Sequence, residues 1–254
     1  MTTVLMETRS LCRYFGGVQA IHELDLEVRA GLIQSVIGPN GAGKTTLFNV
    51  VSGILPPTSG EVFIDSAPIS DLAPHRIAAR GVTRTFQNLQ LFSDMTVLEN
   101  VMVGMHLNSR GGFIASAFKL PHVWKEEQRI RSVSMDILQF TGLEKHASRV
   151  AGSLPFGRQR VLEIARALGA EPRLLMLDEP AAGLNNRETS DLSELIGRIR
   201  DRGITILLVE HDMDLVMNIS DHVTVIDQGR KIAEGEPDQV RNDEKVLKAY
   251  LGEE

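Results

Sequence analysis

The chain has 254 residues, with 27 Lys and Arg against 33 Asp and Glu for a net charge of −6. That sign disfavours a protein whose main task is coating nucleic acid, because phosphate binding needs a basic surface. At 43% hydrophobic and 24% charged it can bury one large core or two modest ones, and its lone cysteine, Cys12, excludes an intramolecular disulfide and fits a reducing compartment.

In chain order, Leu5 to Leu11 and Leu24 to Val28 read as short antiparallel strands, and Ile33 to Ile37 as a buried one. A helix opens near Thr46. From about Asn88 to Ser153 no strand is evident, and Ile130, Val133, Ile137 and Leu138 form a helical stripe that ends at Gly142. A further helix carries Val161, Leu162, Ala165 and Leu168 as its apolar stripe, with Arg158, Arg160, Glu163 and Arg166 on other faces. Leu174 to Leu177 and Ile204 to Val209 are nearly continuous apolar runs, as expected for parallel strands covered on both sides. Between them Leu192, Leu195, Ile196 and Ile199 mark a helix, with Gly203 as its stop. Val223 to Ile226, Asp227-Gln228-Gly229 and Arg230 to Glu234 read as a hairpin. No run reaches the roughly eighteen apolar residues of a membrane span and no signal peptide is visible, so the expectation is a soluble cytoplasmic chain.

Gly38-Pro39-Asn40-Gly41-Ala42-Gly43-Lys44-Thr45 fits G-x-x-x-x-G-K-[ST] at every fixed position, between a strand and a helix that opens with Thr46. Glycines let successive N–H groups face one centre, and the helix N-terminus adds partial positive charge toward phosphates. Lys44 would neutralise β- and γ-oxygens, and the Thr45 hydroxyl would ligate Mg²⁺. The loop alone leaves kinases, GTPases and ATPases open. The run Leu174 to Leu177 ends in Asp178-Glu179, two carboxylates at a sheet edge where ligands of open α/β folds bind. Asp178 can hold Mg²⁺, directly or through water, while Glu179 can orient and deprotonate an attacking water.

The segment L-L-M-L-D-E-P-A-A-G-L-N, with the phosphate loop before it and Val209-Glu210-His211-Asp212 after it, resembles the nucleotide-binding subunits of ATP-binding cassette (ABC) transporters along essentially the whole chain. The resemblance implies a P-loop NTPase (RecA-like) α/β core with an antiparallel β subdomain over residues 1–87 and 156–254, and an inserted α-helical subdomain over 88–155, together one ABC ATP-binding domain. It implies that Phe15 stacks on adenine, that Gln87 meets Mg²⁺ and the attacking water and couples the site to a membrane partner, and that His211 contacts the γ-phosphate. Ala182-Gly183-Leu184-Asn185 would be the loop through which two subunits sense each other. The signature, usually L-S-G-G-Q, is here Leu154-Pro155-Phe156-Gly157-Arg158. Pro155 replaces the serine hydroxyl and lacks an N–H, whereas Gly157 keeps its N–H, so ATP between subunits would find fewer signature contacts.

Phe15 to Ala20, Arg84 to Gln87, Met95 to Asn100, Val209 to Met213 and Lys248 to Gly252 are most similar to the ATP-binding subunits of bacterial branched-chain amino acid importers. Lipopolysaccharide-export ATPases are the nearest alternative, followed by soluble ABC proteins of translation or DNA repair. The importer reading implies ATP and Mg²⁺, a transmembrane permease, a second ATP-binding subunit and, indirectly, an external substrate-binding protein, with no nucleic acid. It places the chain at the cytoplasmic face of the inner membrane. The stretch 106–131 interleaves apolar and basic residues that could meet a permease loop or lipid headgroups.

Overall fold

The computed structural model describes residues 3–105 and 121–251. Its contacts divide the chain into two units, one formed by residues 1–84 and 173–254, the other by 85–172.

In the first unit, β1 (Val4–Phe15) and β2 (Val18–Arg29) form a long antiparallel hairpin, and β4 (Ser59–Ile64) and β5 (Ala67–Pro68) extend it into a four-stranded sheet ordered β2-β1-β4-β5. A six-stranded sheet ordered β10-β9-β3-β8-β7-β6 is the second layer. It contains β3 (Ile33–Ile37), β6 (Val82–Arg84), β7 (Leu174–Asp178), β8 (Thr205–Val209), β9 (His222–Asp227) and β10 (Arg230–Gly235). The five strands from β9 to β6 are parallel, and β10 returns antiparallel on β9 through Gln228 and Gly229, both with positive φ. Every residue of β3, β7 and β8 is buried, which explains their unbroken apolar runs.

Helix α1 (Lys44–Val51) presents Leu47, Phe48 and Val51 to a core that also takes Leu11, Ile21, Leu26, Val36, Met176 and Val209. The short helix α2 (Pro74–Ala78) buries Ile77 in the same core. In register, Val36 of β3 and Asp178 of β7 both lie opposite Val209 of β8. The loops leaving these three strands therefore emerge at one sheet edge.

The second unit is helical. Its members are α3 (Val97–Gly104), α4 (Pro121–Thr141) and α5 (Phe156–Leu168), and α5 packs on α3 and α4. Thr96 caps α3 in a reciprocal box with Glu99. Among the described residues this unit has only an isolated bridge, Thr96 to Val150, in place of a strand. The expected boundaries at 87/88 and 155/156 shift to 84/85 and 172/173. The reason at the second boundary is local: α5 buries Leu162, Ala165 and Leu168 within the helical unit. The mixed stretch at 106–131 falls outside the described residues as far as position 120.

After Asp201 the chain turns at Gly203 and enters β8, completing the strand–helix–strand unit with α6 (Asn186–Asp201). The remaining helices of the first unit, α7 (Met213–Ile219), α8 (Pro237–Arg241) and α9 (Glu244–Leu251), follow β8 and β10.

Candidate nucleotide site

The loop after β3 is shaped by glycines that nothing larger can replace. At Gly38, φ +153, a Cβ would lie 1.9 Å from the Ile226 carbonyl oxygen; at Gly43, φ +104, it would lie 2.3 Å from that of Ala20. Lys44 opens α1 with its side chain folded back over this loop, donating to the carbonyls of Gly38 at 2.6 Å and Pro39 at 2.9 Å. Burial pushes its ammonium below the ordinary lysine range, while the carboxylates of Glu179 and Asp178 pull it back up. Lys44 and both acids thus share one electrostatic neighbourhood. Thr45, exposed, and Thr46, half-buried, follow in the first turn.

Asp178 ends β7 and is 2% exposed. Its Oδ2 accepts from Arg84 Nη2 at 2.6 Å, and the same guanidinium donates to Asn49 Oδ1 at 2.7 Å and Ser52 Oγ at 3.2 Å at the end of α1. Glu179 leaves the strand with φ +47, a conformation uncommon for a residue with a side chain, and its N–H donates to Val209 O at 2.8 Å. The acids diverge because of this left-handed turn, not through simple strand alternation. Glu179 Oε1 lies 2.8 Å from His211 Nε2, the two carried on loops after neighbouring strands. Phe15 stands 43% exposed at the end of β1 with Arg13 stacked on its ring, while Tyr14 is half-buried edge-on to His22. A phosphate loop with its lysine, a carboxylate–imidazole pair and an accessible aromatic thus belong to one unit.

The ABC transporter family matches residues 21–182, and the branched-chain amino acid ATP-binding cassette transporter family matches 230–254. The chain is 46% identical to the high-affinity branched-chain amino acid transport ATP-binding protein BraF of Pseudomonas aeruginosa and 44% identical to LivG of Escherichia coli K12, each over the full length of both proteins. The chain belongs to the ABC transporter family. Within it, the cassette sits with the branched-chain amino acid ATP-binding proteins. Among solved structures it resembles a nucleotide-free ATP-binding cassette from an ABC transporter (TM-score 0.86, 34% identity, 99% of this chain and 100% of that one). It resembles equally the ADP conformation of MJ1267, an ATP-binding cassette of an ABC transporter (TM-score 0.86, 35% identity, the same coverage).

The cassette's signature segment and Gln87 lie in the helical unit. Pro155 is the N-cap of α5, with φ −55 and ψ 149, and the helix starts there without a side-chain cap. Leu154 is buried, Phe156 is 45% exposed with Arg160 over its ring, Gly157 is buried, and Arg158 is exposed beside His146. Gln159 donates to the Leu154 carbonyl at 3.0 Å, bracing the segment.

The polar face of α5 departs from expectation. Arg160 and Glu163 are 5% and 2% exposed, and Val161 is only half-buried. Arg160 donates to the carbonyls of Phe86 at 3.2 Å and Gln87 at 2.6 Å, while Glu163 Oε1 accepts from the N–H groups of Phe86 and Gln90. The segment 86–90 lies outside helix and strand, and these two side chains hold its main chain. Gln87 itself is exposed. The apolar stripe of α5 alone does not reveal these contacts, and the pairing of Arg84 with Asp178 is likewise outside any local pattern.

Proposed function

We propose that this chain is the ATP-hydrolysing subunit of a branched-chain amino acid importer. The observation that carries the reading is the Glu179–His211 pair, 2.8 Å apart, on the sheet edge that also carries the Lys44 loop. Gly38 to Thr46 bind the triphosphate, Lys44 turns from the loop carbonyls to its oxygens, and Phe15 offers its open face to adenine. Glu179 orients and deprotonates the attacking water, and His211 holds Glu179 and meets the γ-phosphate. Among the described residues no group of three or more His, Cys, Asp and Glu could bind a metal unaided. The oxygen donors Thr45 and Asp178 suit Mg²⁺, which binds through one or two protein groups plus phosphate oxygens and waters. When bound, Mg²⁺ would neutralise charge developing on the phosphates.

Two such subunits would each contribute Leu154 to Arg158 to ATP held on the other's phosphate loop, with Ala182 to Asn185 between them. Among the described residues no helix is long and apolar enough to cross a membrane. Docking on a permease through Gln87 and its neighbours therefore links the chain to the membrane, with an external binding protein supplying the amino acid. BraF and LivG are named as branched-chain amino acid transport proteins, which supports this cargo over lipopolysaccharide. The test is purification with its membrane partner, reconstitution in vesicles containing ATP, and addition of the external binding protein outside them. Leucine uptake that stops in Glu179→Gln is the expected result. ATP turnover without uptake of any branched-chain amino acid would overturn the cargo assignment.

A further inference from the structure

The acid Glu210, the first residue beyond β8, is 4% exposed, yet among the described residues no lysine or arginine forms an ion pair with it. Both its oxygens are spent on main chain: Oε1 accepts from Ala181 N at 2.7 Å and Oε2 from His211 N at 3.0 Å. Ala181 lies two residues beyond Glu179, and His211 is the other half of the pair. Together with Glu179 N to Val209 O at 2.8 Å and Glu179 Oε1 to His211 Nε2 at 2.8 Å, these bonds close a ring through the two loops. Burying a carboxylate is costly, and here burial does raise its proton affinity against the pull of three main-chain N–H groups. The carboxylate thereby ties the loop after β7 to the loop after β8 through hydrogen bonds to both main chains.

We infer that Glu210 is a positioning residue for ATP hydrolysis, tying Ala181 to His211 and so setting the reach of His211 to Glu179. The inference rests on the reading that Glu179 and His211 act in hydrolysis. It is tested with the purified full-length chain as Glu210→Ala and Glu210→Gln, measuring kcat and KM for ATP, ADP affinity by calorimetry, and amide exchange at Ala181 and His211. Because displacement of reacting groups by about 1 Å can cost on the order of a hundredfold, kcat of Glu210→Ala should fall about 10- to 100-fold while KM and ADP affinity stay within about threefold. Glu210→Gln, which keeps one acceptor oxygen, should recover part of that loss, and both amides should exchange faster in Glu210→Ala. A kcat within about twofold of the parent, or KM and ADP affinity worsening in step with kcat, would overturn it. If Glu179→Gln hydrolyses ATP like the parent, the assignment of Glu179 fails instead. Exchange then decides separately: unchanged protection at Ala181 and His211 in Glu210→Ala overturns the tie.

Discussion

Arg84 and Asp178 form an ion pair, Nη2 to Oδ2 2.6 Å, in which both side chains are almost wholly buried. The guanidinium also reaches Asn49 and Ser52, so one side chain joins the last residue of β6, the last residue of β7 and the end of α1. This fixes the acid that the metal-binding reading needs without leaving its charge uncompensated.

Removing one member of a buried pair strands the other, at a cost of about 3–5 kcal/mol. Arg84→Met should lower the unfolding free energy by that much in urea titrations. Arg84→Lys should recover only part of it, since a single ammonium cannot reproduce the fork. A loss below about 1 kcal/mol would mean the pair behaves like an exposed one.

Glu179→Gln keeps the shape and the contact with His211 but removes the base. ATP turnover should drop by about a hundredfold or more, as for loss of a general base, with nucleotide affinity retained. Phosphate release after mixing with ATP, set beside equilibrium nucleotide binding, checks both halves; turnover near the parent's would exclude Glu179 as the base.

The phosphate loop, the Asp178-Glu179 end of β7 and the His211 end of β8 were legible because apolar runs fix strands and their ends fix one sheet edge. Less visible were β4 and β5, short and partly polar, and β6, only three residues long. The partners that hold the site were not legible either. Arg84 finds Asp178 across 94 positions, and Arg160 finds Gln87 across 73; no local period encodes such pairs. The helix-period reading of α5 counted Arg160 and Glu163 as outside the apolar stripe, which is true of their chemistry and not of their burial.

Glu163 also makes stability depend on pH. Burial raises its carboxyl above the ordinary 4.5, with Phe86 and Gln90 N–H groups and Arg160 pulling the other way. The folded chain then binds more protons at this site than the unfolded one, so the contribution is present below the unfolded value and lost as pH rises through the folded one. The unfolding free energy of the parent relative to Glu163→Gln should therefore decline from pH 4.5 upward and then level off. A difference that grows over that range would show the carboxyl lowered by its N–H partners instead.

Pro155 offers a test of the signature. As the N-cap of α5 it supplies neither a hydroxyl nor an N–H, and no other side chain caps this end. Serine at an N-cap satisfies one of the free amides of the first turn, worth about 1 kcal/mol over a residue that cannot. Pro155→Ser should therefore raise the unfolding free energy by about that amount. If α5 also points at ATP held by a second subunit, the new hydroxyl adds a donor to phosphate and turnover should rise in the same variant. The two readouts separate helix capping from nucleotide contact. Added stability with turnover unchanged would confine Pro155 to starting the helix, and a fall in both would show that the rigid proline shapes the approach of Leu154 to the first turn.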